Sequence, residues 1–206
     1  AALSVSHTIT AVDDAPAFSS ATGSVNVNEN SQTVGTYTAT DAESDTIAYT
    51  LSGTDNSLFS IVSNTGVLTF ASAPNYENPG CGSGSNSNTC TVIITATANS
   101  KTDTHTLTVN VQDLNDESPV WQTAASQSVD ENTRNVATLS VTDGDAADSN
   151  TATYAITSND NSLFEISGST LRFAASGGAD YESPGCGSSS NTCTVIVRAS
   201  DAAMKR

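Results

Sequence analysis

Side chains bearing oxygen recur at matched places in two similar halves of this 206-residue chain. Val27-Asn-Glu29-Asn30 returns as Val129-Asp-Glu131-Asn132, and Asp41-Ala-Glu43 returns as Asp143-Gly-Asp145. Asn75-Tyr-Glu77-Asn-Pro-Gly-Cys81 returns as Asp180-Tyr-Glu182-Ser-Pro-Gly-Cys186. The run Asp113-Leu-Asn115-Asp116-Glu117-Ser-Pro119 joins the halves. Acids two apart on an extended chain point the same way, so Asp41 with Glu43, and Asp143 with Asp145, each offer a carboxylate pair. Calcium takes about six to eight oxygens from carboxylates, carbonyls and amides. One acidic pair is usually just solvated. A set kept at the ends of a repeating unit points to metal held at the junctions between units.

These residues need rigid elements to position them, and period-two alternation supplies them. Residues 33–40, 46–51, 66–70, 90–97 and 105–111 read as strands in the first half. Residues 135–142, 152–157, 169–173 and 193–200 repeat them in the second. Thr and Val fill the strands, while Asn, Gly and Ser punctuate the gaps. No helical period of useful length occurs. Each half reads as an antiparallel β-sandwich of about seven strands, so the chain is all-β. The recurring Asn56-Ser-Leu-Phe59 and Asn161-Ser-Leu-Phe164 place Phe59 and Phe164 in the cores. Phe70, Phe173, Tyr49 and Tyr154 are expected beside them. Phe18 and Trp121 follow the linkers and read as plugs at the base of each domain.

Composition excludes whole classes of function. Six Lys and Arg stand against 22 Asp and Glu, a formal charge of -16. Nucleic acid binding needs a basic footprint, which this chain lacks. An acidic surface repels itself at low salt unless cations sit between the carboxylates. No apolar run approaches the roughly 18 residues that a membrane helix requires. The N-terminus lacks the pattern of a signal peptide, which reads as a mature chain or an excerpt of a longer one.

The four cysteines fall as two close pairs, Cys81 with Cys90 and Cys186 with Cys193, each closing a Gly/Ser/Asn loop. Two disulfide-clipped loops in an oxidising compartment are the better reading. Zinc is the weaker one, since the spacing is long and no His lies near. Each disulfide would contribute about 2–3 kcal/mol by restricting the unfolded loop.

The phase of the repeat is unusual. Residues 3–12 match residues 105–114, the last strand of repeat one, and precede the linker-like Asp13-Asp14-Ala-Pro16. Repeat two stops at Lys205-Arg206, where its own last strand should begin. The expected division is therefore residues 1–14 as the last strand and linker of a preceding repeat, 15–116 as repeat one, and 117–206 as repeat two. The final strand of repeat two would come from a neighbouring unit. Either one period has been cut from a continuous polypeptide, or separate subunits exchange strands head-to-tail.

With these motifs assembled, the chain resembles the cadherin repeat family, above all bacterial cadherin-like tandem domains of surface adhesins or fibre proteins. The resemblance rests on Asp-Glu-Asn (130–132), Asp-Tyr-Glu (180–182), Asp-x-Asn-Asp (113–116), Asp-x-Asp (143–145) and Ala-Ser-Asp (199–201). It implies tandem Greek-key sandwiches with calcium at each interdomain junction. The middle junction would draw on Glu29, Asn75 and Glu77 from repeat one. Asn115 and Asp116 would join from the linker, with the carbonyls of Leu114 and Glu117. Asp143, Asp145 and Asp201 would come from repeat two, with a carbonyl near Asn150. Asn75 stands where the family has Asp, which weakens the outermost ion. A second junction is split across the chain ends. Glu131, Asp180 and Glu182 would meet the Asp13, Asp14, Asp41 and Glu43 of another unit. Ala11 replaces the counterpart of Asp113, and Ala98 that of Asp201, so fewer or weaker ions are expected there.

The function implied is a calcium-stiffened structural or adhesive module of an extracellular fibre or surface protein. Its partners would be copies of itself, head-to-tail. The absence of Asn-x-Ser/Thr sequons suits a bacterial adhesin better than an animal receptor. The alternative is a carbohydrate-binding module, which would need an exposed stripe such as Tyr37, Tyr49 and Tyr154. An enzyme is not expected. His7 and His105 sit in equivalent strands, and no nucleophile-base arrangement, phosphate loop or zinc motif occurs.

Overall fold

A computed structural model describes residues 1–10, 12–82, 86–145, 152–159, 162–187 and 190–201. Ala11, the carbonyl expected near Asn150, Asn161 and the terminal Lys205-Arg206 lie outside the described residues. The chain divides into two compact units, Ala1–Asp113 and Leu114–Arg206.

Unit 1 holds seven strands: β1 (Thr22–Asn28), β2 (Thr33–Thr36), β3 (Ala48–Ser52), β4 (Phe59–Ile61), β5 (Val67–Phe70), β6 (Thr89–Ala98) and β7 (Lys101–Gln112). They form one sheet in the order β1-β7-β6-β3 and a second in the order β2-β5-β4. Alternation dictates what lies between them. Val92, Ile94 and Ala96 of β6 and Leu107, Val109 and Val111 of β7 all turn inward and meet Leu68 and Phe70 of β5. Phe59 and Phe70 pack with ring centroids 4.5 Å apart. The β6–β7 hairpin turns through Asn99 (φ 44°) and Ser100 (φ 71°). Two successive left-handed residues match the twist of the strands they join.

The β-sandwich reading holds, with local corrections. Pairing is not wholly antiparallel: β1 runs parallel to β7, Val27 opposite Val111. Residues 33–40 do not form one strand, because β2 ends at Thr36, and Thr40 instead bridges Ala17. A 3-10 turn, Asn56–Leu58, precedes β4. Residues 3–10 lie exposed without strand pairing. Phe18 packs as expected, 5.5 Å from the His105 ring and 6.3 Å from that of Tyr49.

Unit 2 contains β8 (Val120–Trp121), β9 (Asn135–Thr138), β10 (Val141–Thr142), β11 (Thr153–Asn159), β12 (Phe164–Ser167), β13 (Thr170–Phe173) and β14 (Val195–Ser200). Residues 135–142, read as one strand, split into β9 and β10. The sheets are smaller: β10-β8, β11-β14 and β12-β13-β9. Its buried core is Leu139, Phe164, Leu171 and Phe173, with Tyr154 half-buried against it. Trp121 is 38% exposed, its ring 5.7 Å from that of Tyr154. Among the described residues, unit 2 has no counterpart of β7, and residues 124–130, the counterpart of β1, form no strand.

Both cysteine pairs are disulfides, Cys81–Cys90 and Cys186–Cys193. In unit 1 the loop is further tied by Asp55. Its carboxylate, 4% exposed, accepts the N–H groups of Gly82 at 2.8 Å and Thr91 at 2.7 Å.

Candidate metal centres

At the base of unit 1, Glu29, Glu77 and Asp113 bring three carboxylate oxygens within 4.8 Å of one another. The end of β1 sets this up. The Glu29 N–H donates to the Gln112 carbonyl at 3.0 Å, the last residue of β7. Asn30 then turns left-handed (φ 61°) and donates to the Pro74 carbonyl. Glu29 is thereby folded inward, 1% exposed, and its Oε2 accepts the Tyr76 N–H at 2.8 Å. Asn75 Oδ1 accepts the Asn78 N–H at 2.6 Å, which shapes the turn carrying Glu77.

Unit 2 repeats the motif at its own base. Asn132 is left-handed (φ 59°), the Tyr181 N–H donates to Glu131 Oε2 at 3.2 Å, and Asp180 Oδ1 accepts from the Glu182 N–H at 2.9 Å. Glu131, Asp180 and Glu182 again lie within 4.8 Å, but all three are exposed. A backbone hydrogen bond at Glu182 lowers its pKa. The charge and hydrogen bond of Glu131 and the charge of Asp180 outweigh it, so the carboxyl is held above its usual range. Like charges crowded this way favour a bound cation or a proton.

At the other end of unit 2, Asp143, Asp145 and Asp201 bring their oxygens within 4.8 Å. Asp145 is 1% exposed; its N–H donates to Asp143 Oδ1, and its Oδ2 accepts the Glu117 N–H, both at 3.1 Å. Asp143 Oδ2 and Asp201 Oδ2 are buried, and no protein donor reaches them. A buried carboxylate is costly without a partner. The oxygen-only donor set fits calcium, not zinc. Leu114, Asn115, Asp116 and Glu117 open this unit, directly after Asp113 in the chain.

The corresponding end of unit 1 is built differently. Asp41 Oδ1 accepts the N–H groups of Glu43 and Asp45, both at 3.1 Å, and Glu43 Oε2 accepts the Asp14 N–H at 3.0 Å. The Lys101 ammonium lies 3.1 Å from Asp13 Oδ2 and also contacts the Asp13 carbonyl. Asn99 Nδ2 donates to Asp13 Oδ1 at 3.2 Å and to Asp45 Oδ2 at 2.6 Å. The hydrogen bond from Asn99, then that from Lys101, holds Asp13 below the usual carboxylate range. Lost hydration, then the hydrogen bond with Asp13 and the charges of Asp41, Asp13 and Glu43, pushes Asp45 up. Among the described residues no three acidic oxygens converge here. The chain's own cation stands at this end. Sequence reasoning missed Lys101, Asn99 and Asp45. The signal was available: Lys101 is one of only six basic residues and follows Ala98 by three. Asp113, legible in the sequence only as part of the Asp-x-Asn-Asp motif, completes the cluster with Glu29 and Glu77.

The tyrosines form no exposed stripe. Tyr49 is 4% exposed in the core, and Tyr37 and Tyr154 are half-buried.

Comparison with known proteins bears on the fold. Residues 22–112 match the family model of the cadherin domain. Human protocadherin-24 EC1-2 superposes with a TM-score of 0.68 at 20% identity, covering 92% of this chain and 94% of that one. Drosophila N-cadherin EC1-4 gives 0.69 at 20% identity over 92% and 46% of the two chains. Mouse cadherin-23 EC22-24 gives 0.62 at 17% over 82% and 56%. No curated protein sequence matches. Residues 22–112 thus match the cadherin domain, and the two units share the fold of these cadherin ectodomains.

Proposed function

We propose that this chain is a calcium-stiffened structural or adhesive module of an extracellular fibre or large surface protein, with two-domain repeats following one another head-to-tail. The cluster of Asp143, Asp145 and Asp201 carries the reading. It has three carboxylates within 4.8 Å, and two of their buried oxygens have no protein donor. Two disulfides support an oxidising, extracellular setting. A relative of the same fold is described as the extracellular domain of protocadherin gamma B4.

Glu29, Glu77 and Asp113 would hold calcium from unit 1, and Asp143, Asp145 and Asp201 from unit 2. Asn115, Asp116 and the carbonyls of Leu114 and Glu117 would contribute from the segment between. A bound divalent cation supplies the positive charge these carboxylates lack. Without it they repel, and the segment between the units bends. With ligands on both sides of that segment engaged, bending would cost the coordination, so the joint stiffens. Binding to the folded state alone stabilises it by about 2.7 kcal/mol when free calcium is a hundredfold above Kd.

Calorimetric calcium titration tests this. Asp145→Ala is expected to lose binding heat and the calcium-dependent rise in melting temperature. Equal calcium responses in the wild type and Asp145→Ala would sink the assignment.

A further inference from the structure

We infer, on the calcium reading of the Asp143, Asp145 and Asp201 cluster given above, that Lys101 stands in unit 1 for the cation which that cluster draws in unit 2. Residues 13–14 are then held at this end of unit 1 without calcium.

Taken each by itself, the two units match in their first two acids. Asp41 Oδ1 accepts the Glu43 N–H at 3.1 Å, as Asp143 Oδ1 accepts the Asp145 N–H at 3.1 Å. Glu43 Oε2 accepts the Asp14 N–H at 3.0 Å, as Asp145 Oδ2 accepts the Glu117 N–H at 3.1 Å. The third carboxylate is where they part. Asp201 completes the cluster of unit 2, and Ala98, 1% exposed, stands at its place in unit 1. A methyl group cannot ligate a metal, so a cation held here would lose a carboxylate that calcium takes in unit 2.

The replacement lies directly across the hairpin. Lys101 is the register partner of Ala98. The left-handed turn between them, Asn99 and Ser100, sets Asn99 and Lys101 side by side against Asp13. The Lys101 ammonium lies 3.1 Å from Asp13 Oδ2 and also donates to the Asp13 carbonyl. Asn99 Nδ2 donates to Asp13 Oδ1 at 3.2 Å and to Asp45 Oδ2 at 2.6 Å. Asp13 is thereby engaged through both carboxylate oxygens and its carbonyl, the oxygen types that calcium itself takes. An ammonium is a compact charge with three donors, so one lysine can serve carboxylate and carbonyl together. A divalent cation at Asp13 would meet that charge at close range and be repelled. An ion pair as exposed as this one adds little stability. Its effect is to fix the course of residues 13–14.

Asp41 Oδ2 is buried and no protein donor reaches it, which is also the state of Asp143 Oδ2. The first ligand of such a cluster thus persists in unit 1, while the carboxylate that would complete it does not. Restoring the carboxylate and removing the ammonium should therefore restore the metal.

Amide NMR of the full chain, with calcium titrated in from chelator, tests this. The amides of Asp143, Asp145 and Asp201 are expected to shift to saturation, while those of Asp13, Asp14, Asp41, Glu43 and Asp45 stay in place. Asp13 and Asp14 should give the same heteronuclear NOE with and without calcium. Lys101→Met should lower that NOE in both conditions, and Lys101→Arg should keep it. Ala98→Asp combined with Lys101→Met should bring a saturable calcium shift to Asp41 and Glu43. Wild-type shifts at Asp41 and Glu43 over the same calcium range as at Asp143 would overturn the inference. So would Lys101→Met leaving Asp13 and Asp14 as ordered as before, or a folded double variant that gains no calcium shift. Amides of Asp143, Asp145 and Asp201 that ignore calcium would contradict the calcium reading itself, and the hold on Asp13 would then stand or fall by Lys101→Met alone.

Discussion

Glu29 combines burial, a backbone hydrogen bond to Tyr76 and two neighbouring carboxylates, Glu77 and Asp113. Its charge is a liability without a cation and an asset with one. Glu29→Gln keeps an acceptor for the Tyr76 N–H but removes the charge. Thermal melting is expected to rise in chelator by a few degrees, roughly the effect of 1 kcal/mol in a domain this size, and to gain less than the wild type on adding calcium. A variant that melts lower in both conditions would show the carboxylate to be structural alone. Lys101 plays the cation's part beside Asp13. Because Asp13 is depressed in the folded state, its contribution is full above the usual carboxylate range and fades as pH falls through the lowered pKa. Lys101→Met should move the NMR titration of Asp13 upward, and an unmoved titration would remove Lys101 from that role. The acids were legible in the sequence because they repeat. Lys101 was not, because it reaches Asp13 only through the hairpin that brings residue 101 beside residue 13.

At the scale of elements, the strands with full alternation were legible and the weaker ones were not. Residues 90–97 and 105–111 carry inward Val, Ile, Leu and Ala every second place, and β6 and β7 contain them. β1 was missed because its inward positions include Gly23, and its outward ones are Thr22, Ser24, Asn26 and Asn28. Gly23 has its own reason: a Cβ there would come within 2.8 Å of His105 Nε2. The parallel pairing of β1 with β7 was not legible either, since it depends on topology and not on local pattern. The cysteine spacing gave both disulfides. Replacing Cys81 and Cys90 together by Ser is expected to lower the stability of unit 1 by about 2–3 kcal/mol, read by denaturant unfolding. No change would mean that Asp55, through Gly82 and Thr91, already holds the loop.

For the whole molecule, the sequence told two repeats from one, and its motifs pointed to the domain that residues 22–112 match. Val92, Ile94 and Ala96 of β6 are fully buried beside β7, while Val195, Val197 and Ala199 of β14 are half-buried among the described residues, a difference that alternation alone does not show. The central claim is that calcium stiffens the joint between the units. Small-angle scattering of the chain at low concentration tests it most directly. The account predicts a narrow distribution of end-to-end dimensions in calcium that broadens in chelator, with Asp145→Ala broad in both. Superimposable profiles with and without calcium would contradict it.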